Sequence, residues 1–353
     1  IGTQIQSYVK TTETCNLNCS HCFTSGSQGA KIYFNPERTA DFFERLKRDC
    51  PWVQSMRFMF HGGEPFLAPI KDLYKFHKLT KNIFKDTSYS VQTNLTFKLT
   101  DERRKFLKDV IFEHGFGTSW DYDIRFANNA QEKLWEKNVQ TLAREDGHYM
   151  TMIVSMSKGL LTDKTPLDVL EYARRLGFKH VLFERITTDG NAKINDDVIP
   201  SNKLQDAWIL RMYEQSLEHK TYEWIGNMFL NEMAQAFISK NHTANRCRDC
   251  EQTLLTINAD GTIAGCPNTA PNSHWGNIDW RVMDSLKSPK RMEVITCETI
   301  RDPRCMSCPV NEICNGDCHQ LGWEEDICGA PKSLMLKMQK ENKSEDYRKF
   351  LYD

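Results

Sequence analysis

Along the first half of the chain, short runs rich in β-branched and aromatic residues alternate with longer stretches in which apolar residues recur at helical spacing. Residues 5–12, 55–60, 88–94, 116–121, 149–155 and 179–185 read as six strands. Between them, residues 36–48 place Phe42, Phe43 and Leu46 on one helix face, and a helix over 101–110 opens behind the capping residue Thr100. Parallel neighbours need a long crossover connection, and a helix supplies it, so this alternation predicts a parallel sheet. Six units rather than eight predict an α/β fold, an open partial (β/α)6 TIM-like barrel over residues 1–186, roomy enough for a large substrate.

The periodicity then stops. Residues 187–200 carry Gly, Asn, Asp and Pro without apolar spacing and read as a linker. Two helices are expected over 201–219 and 222–238, so that 187–243 forms a linker-and-helix segment. From residue 244 helix signals thin and cysteines crowd in, which predicts a C-terminal cysteine-rich iron–sulfur module over 244–330. The Lys-rich tail over 331–353 reads as a solvated helix.

Composition narrows the partners. With 46 basic and 47 acidic residues the chain has no broad electrostatic footprint for nucleic acid or an anionic membrane surface. No apolar run reaches the ~18 residues of a membrane helix. Thirteen cysteines in 353 residues, without a secretory leader, speak against a small disulfide scaffold and for a cytoplasmic location. A small-molecule or peptide substrate is the expected partner.

In barrels of this kind chemistry gathers at the carboxyl ends of the strands, and the polar motifs fall there. Cys15, Cys19 and Cys22 follow the first strand as Cys-x3-Cys-x2-Cys. Three thiolates cannot close four irons, and ordinary electron-carrying clusters close every iron with protein sulfur, so this triplet leaves one iron for another ligand. Structural zinc fits poorly, since only Cys19, Cys22 and His21 resemble a zinc knuckle. The triplet resembles the radical S-adenosylmethionine (SAM) superfamily, in which the open iron chelates SAM.

A second array strengthens that resemblance: Cys250-x10-Gly261-x4-Cys266, then Cys305-x2-Cys308-x5-Cys314-x3-Cys318, then Cys328. It is similar to the SPASM module of the same superfamily. The resemblance implies two auxiliary clusters with interleaved ligands, Cys247, Cys250, Cys266 and Cys318 for the first and Cys305, Cys308, Cys314 and Cys328 for the second. Together with the triplet that makes three [4Fe-4S] clusters. Cys247-x2-Cys250 is tighter than in relatives, and Cys297 is the alternative ligand. Asp260-Gly261 fits a hairpin turn that would bring Cys250 and Cys266 together.

The resemblance also assigns the strand ends. Gly62-Gly63-Glu64-Pro65 looks like the turn that receives the SAM amino group, two glycines allowing close backbone approach. Gln92 and Asn94 are candidates to bond the adenosyl or methionyl part, and Ser119 matches a position that contacts SAM in sulfatase-maturing relatives; the alternative is that all three satisfy strand ends. Asp121, followed by Tyr122, Asp123 and Arg125, and the Glu184-Arg185 pair are either loop-shaping ion pairs or the machinery that orients substrate and abstracts a proton. Asp121 and Glu184 are the catalytic candidates. His21 and His61 read as packing or supporting residues.

What the resemblance implies is a 5′-deoxyadenosyl radical that takes hydrogen from an unactivated carbon, with the auxiliary clusters accepting an electron. A maturase that oxidises or cross-links side chains of a peptide or protein is the first reading. A dehydrogenase of a small metabolite, a sugar or an aminoglycoside, is the second. Formylglycine formation is disfavoured, because Pro267 stands after Cys266 where sulfatase-maturing enzymes carry an Asp. An electron donor such as flavodoxin or ferredoxin is implied. Only fourteen residues precede Cys15, so a separate peptide-recognition protein is expected to replace the leader-binding domain of many peptide maturases.

Overall fold

The structure, a computed structural model, describes residues 1–24, 26–111, 115–240, 248–269 and 271–352. Its first half follows the sequence pattern. Strands β1 (Gln4–Lys10), β2 (Ser55–His61), β3 (Asp86–Val91), β4 (Phe116–Ser119), β5 (Met150–Ser155) and β6 (His180–Glu184) alternate with helices α1 (Pro36–Asp49), α2 (Ile70–Thr80), α3 (Asp101–Phe106), α4 (Asn129–Gln140), α5 (Lys158–Asp163) and α6 (Pro166–Leu176). Strand neighbours are parallel, with Gln4 opposite Ser55 and Lys10 opposite His61. The first three and the last three strands form two sheets, joined where Gln92 bridges to Gly117.

Local chemistry explains the boundaries. Asn35 caps α1 by accepting from the Arg38 N–H, with Pro36 as the first helical residue. Thr100 caps α3 as expected. That helix then widens into a π-turn over Leu107–Ile111. Period-two burial on β2 sends Met56, Phe58 and Phe60 against the helices. There Phe58 meets Phe43 and Phe76 edge to face, with centroids 4.8 and 5.2 Å away. Each such pair adds about 0.5–1.5 kcal/mol beyond the burial itself.

Two expectations change, and the sheet also shows where the C-terminal module attaches. The segment expected as a helix over 222–238 first makes a short seventh strand, β7 (Gly226–Asn227), parallel to β6; α8 is confined to Met228–Ser239, after α7 (Asn202–Glu218). The C-terminal module is not separate from the barrel sheet. Its β8 (Leu254–Ile257) lies parallel to β1, and β9 (Thr262–Ala264) and β10 (Gly276–Asn277) continue antiparallel from it. An open barrel exposes the edge of β1, and this hairpin covers it. The tail is not solvated: Leu334, Met335 and Met338 are buried on one face of the helix Lys332–Glu341, and Tyr347 and Phe350 are buried beyond it. Its lysines occupy the other side, where Lys337 pairs with Glu214. Among the described residues no helix is long and apolar enough to cross a membrane.

Candidate functional site

The cysteine loop leaves the carboxyl end of β1 and is held from four sides. Asn94, three residues past β3, donates from Nδ2 to Cys15 Sγ at 3.4 Å and to Asn16 Oδ1 at 2.7 Å. The Leu17 N–H also faces Cys15 Sγ. From the turn after β2, Gly63 N–H donates to Thr12 O and Glu64 N–H to Thr14 O. A Cβ on Gly63 would sit 1.9 Å from Thr14 O, and one on Gly62 2.3 Å from Thr12 O. The close approach these glycines permit is therefore to the backbone that carries Cys15.

Glu64 is fully buried and ties that turn to the end of β3. One oxygen accepts from Phe66 N–H and Thr93 Oγ1, the other from Asn94 N–H at 2.7 Å. Burial outweighs these bonds and pushes its pKa up to about 7.

Asp121 is fully buried just past β4. One oxygen accepts from Arg125 Nε at 2.6 Å and lies 3.4 Å from His21 Nε2, within the cysteine loop; the other accepts from Ser155 N–H at 2.7 Å. Burial alone would raise this carboxyl, but Arg125 and His21 overrule it and hold the group well below the usual carboxylate range. Glu184 ends β6, half-buried, within electrostatic reach of the half-buried Tyr8 phenol, which desolvation first and Glu184 second push upward. Ser119 is buried opposite Ile153, and the Gln92 side chain bonds to His61.

The expected linker is part of the site. Asn191 donates from its backbone to Cys22 O at 2.7 Å and from Nδ2 to Cys19 O at 2.9 Å, and Asn195 donates to Ser20 O. A Cβ on Gly190 would meet Cys22 O at 2.3 Å. No apolar spacing announces such a segment, because its work is done by amides on backbone carbonyls. Sequence reasoning also missed Lys10, buried at the end of β1 with its ammonium 5.8 Å over the Phe23 ring.

In the module, Cys305, Cys308, Cys314, Cys318 and Cys328 line one cavity of about 520 Å³, and Cys297 lines it too. Cys250 and Cys266 flank the β8–β9 hairpin instead, both within electrostatic reach of Tyr8. Their segments are locked together by Glu251, which pairs with buried Arg291 and whose backbone N–H donates to Glu298. A Cβ on Gly265 would lie 2.0 Å from Glu251 Oε1. Cys247 lies outside the described residues.

The donor set fits iron–sulfur clusters. Burial raises the Cys15 thiol to about 12 and Cys19 to about 11, an unfavourable place for a bare thiolate but a natural one for thiolates neutralised by iron. Among the described residues no three His, Cys, Asp or Glu side chains converge on a single-ion site. The module's thiols surround a space, as a cluster carrying its own sulfides requires.

Comparison with known proteins agrees with this geometry. The model of a 4Fe-4S single cluster domain matches residues 2–114. No curated protein sequence matches the chain. The solved structure of native anSMEcpe with bound AdoMet and Cp18Cys peptide superposes with a TM-score of 0.73 over 97% of this chain and 96% of that one, at 16% identity. Streptococcus suis SuiB bound to S-adenosylmethionine gives 0.62 over 93% and 78%, at 11% identity. SuiB bound to its precursor peptide SuiA gives 0.60 over 91% and 73%, at 12%. The chain shares the fold of both proteins, with the partial barrel and the cysteine-rich C-terminal region in the same chain.

Proposed function

We propose that the chain is a radical SAM enzyme of the SPASM type, a maturase that oxidises or cross-links side chains of a peptide or protein. The observation that carries this reading is the loop of Cys15, Cys19 and Cys22, three buried or half-buried thiols held at the carboxyl end of β1 by Asn94, Asn191 and the Gly62-Gly63-Glu64 turn. A peptide substrate is supported by the shared fold, since SuiB and anSMEcpe were both solved with peptides bound. Pro267 after Cys266 keeps formylglycine formation out of the proposal.

Bound at the triplet, a [4Fe-4S] cluster and SAM supply a radical able to take hydrogen from an unactivated carbon. Asn94 directs its amide at Cys15 and Glu64 fixes the turn, so both hold the cluster loop in place. Asp121 has each oxygen engaged, so it positions His21 and Arg125 rather than accepting a proton. Glu184, at the end of β6 and within electrostatic reach of Tyr8, is the remaining candidate for proton acceptor. Two auxiliary clusters, bringing the total to three, would accept the electron that oxidation releases.

The test is anaerobic reconstitution followed by turnover with SAM, a reductant and each short peptide encoded beside the gene. About twelve irons per chain and a peptide product lighter by two hydrogens are expected. Near four irons, or a product of unchanged mass, overturns the oxidative reading. Oxidation of a small polyol with the peptides untouched overturns the peptide reading.

A further inference from the structure

The loop between Cys314 and Cys318 has an unusual backbone. Asn315, Gly316 and Asp317 all adopt positive φ, at 54°, 76° and 52°. Glycine takes this conformation freely, while an L side chain meets a steric penalty there. Asp317 bears that penalty although the residue before it is already a glycine. Its side chain is 3% exposed, with carboxylate Oδ1 accepting from the Cys318 N–H at 2.6 Å and from Arg185 Nη2 at 2.5 Å. Arg185, itself 9% exposed, uses its other nitrogen to reach Gly329 O at 3.0 Å, next to Cys328. From the far side Arg248 donates to the Asp317 and Gly316 carbonyls.

One buried ion pair therefore joins three places: the end of β6, where Glu184 stands, the backbone of Cys318, and the residue after Cys328. Removing either partner would leave a buried charge uncompensated, so the pair resists drift. It also withholds the Cys318 N–H from sulfur. Hydrogen bonds and positive charge near cluster sulfurs raise a cluster's potential, and a buried carboxylate lowers it.

We propose that Asp317 and Arg185 are positioning residues that seat the auxiliary-cluster loops against the substrate side of the barrel, with Asp317 holding the cluster bound through Cys318 at a low potential. This rests on the reading of the module as a carrier of auxiliary clusters. The low potential limits how readily that cluster accepts an electron, so the pair acts on the oxidative half of the reaction.

The experiment is an anaerobic potentiometric titration of the reconstituted enzyme followed by electron paramagnetic resonance, with the triplet cluster as internal reference. Asp317→Asn keeps an acceptor for the Cys318 N–H but removes the charge, and should raise the midpoint potential of one auxiliary cluster only. Asp317→Gly relieves the backbone conformation but frees both the Cys318 N–H and the buried Arg185 guanidinium, so it should lose stability yet shift the same cluster further upward wherever the wild-type iron is retained. Arg185→Lys keeps the charge and should stay near the wild-type potential. If both Asp317 variants carry the wild-type complement of iron at unchanged potential, or if Asp317→Gly lowers it, the inference fails while the enzyme assignment stands. A wild-type protein holding only four irons overturns the assignment itself.

Discussion

The barrel and the C-terminal module hold their cysteines by different physics. Around β1 to β3 the scaffold is an apolar core in which Phe42, Phe43, Phe58, Phe60 and Phe76 are almost wholly buried, and the cysteine loop is pinned to it by amides and buried carboxylates. Between residues 300 and 330 the helices shrink to the four-residue Pro303–Met306 and Asn311–Cys314, Ile300 and Met306 are exposed, and the thiols line a cavity. A region with so little apolar burial draws its folding energy from what the thiols bind, as small metal-folded domains do. On the proposed reading the barrel is a scaffold to which a cluster is added, and residues 300–330 form a region that clusters would complete.

The most severe way to sharpen this contrast is to remove the triplet. With Cys15, Cys19 and Cys22 all changed to Ala, reductive cleavage of SAM should fall to background while about eight irons remain and far-UV circular dichroism stays native. Retained 5′-deoxyadenosine formation would break the assignment of the triplet.

Withholding iron should reverse the pattern. Hydrogen exchange of the iron-free protein is expected to show residues 300–330 losing protection while β1 to β3 keep theirs. Equal protection in both regions would mean that the module folds without metal.

Within the barrel, Asp121→Asn leaves Arg125 buried without its counter-charge and should cost about 3–5 kcal/mol in urea unfolding. Breaking the exposed pair of Arg38 and Asp279 should cost at most about 1 kcal/mol. Similar losses in both would deny Asp121 its anchoring role.

The last expected effect is a pH dependence. Because the Glu64 carboxyl is raised from 4.5 to about 7 in the folded protein, its contribution to stability is fully present below the unfolded value and is lost as pH rises through about 7. Relative to wild type, Glu64→Gln should therefore lose less stability between pH 5 and pH 8. Parallel pH profiles would show that burial does not control this group.

Much of this was legible beforehand, for reasons that differ by element. The six strands and their helices could be read because period-two and period-3.6 burial leave an apolar signature in any window, as in Met56, Phe58 and Phe60. The tail was misread because Leu334, Met335, Leu336 and Met338 among lysines make a weak pattern until α7 and α8 offer the helix a surface to pack on. The cysteine spacings pointed to clusters, but no spacing foretold that Asn191 and Asn195, in a stretch without periodicity, would clasp the cysteine loop. A side-chain amide on a backbone carbonyl can come from anywhere in the chain.

By itself, the sequence determined the alternating α/β architecture, the Cys-x3-Cys-x2-Cys triplet of Cys15, Cys19 and Cys22 after the first strand, and the cysteine-rich character of residues 250–328, because each depends on residue type at short and fixed spacing. Tertiary structure alone decided that the module's hairpin would cover the edge of β1, that Asp121 would be spent on Arg125, His21 and Ser155, and that Arg185 would reach across to Asp317. Apart from Asp121 and Arg125, four positions apart, these are meetings of residues tens to hundreds of positions apart, and their energies come from burial and charge compensation, which exist only once the chain has closed around them.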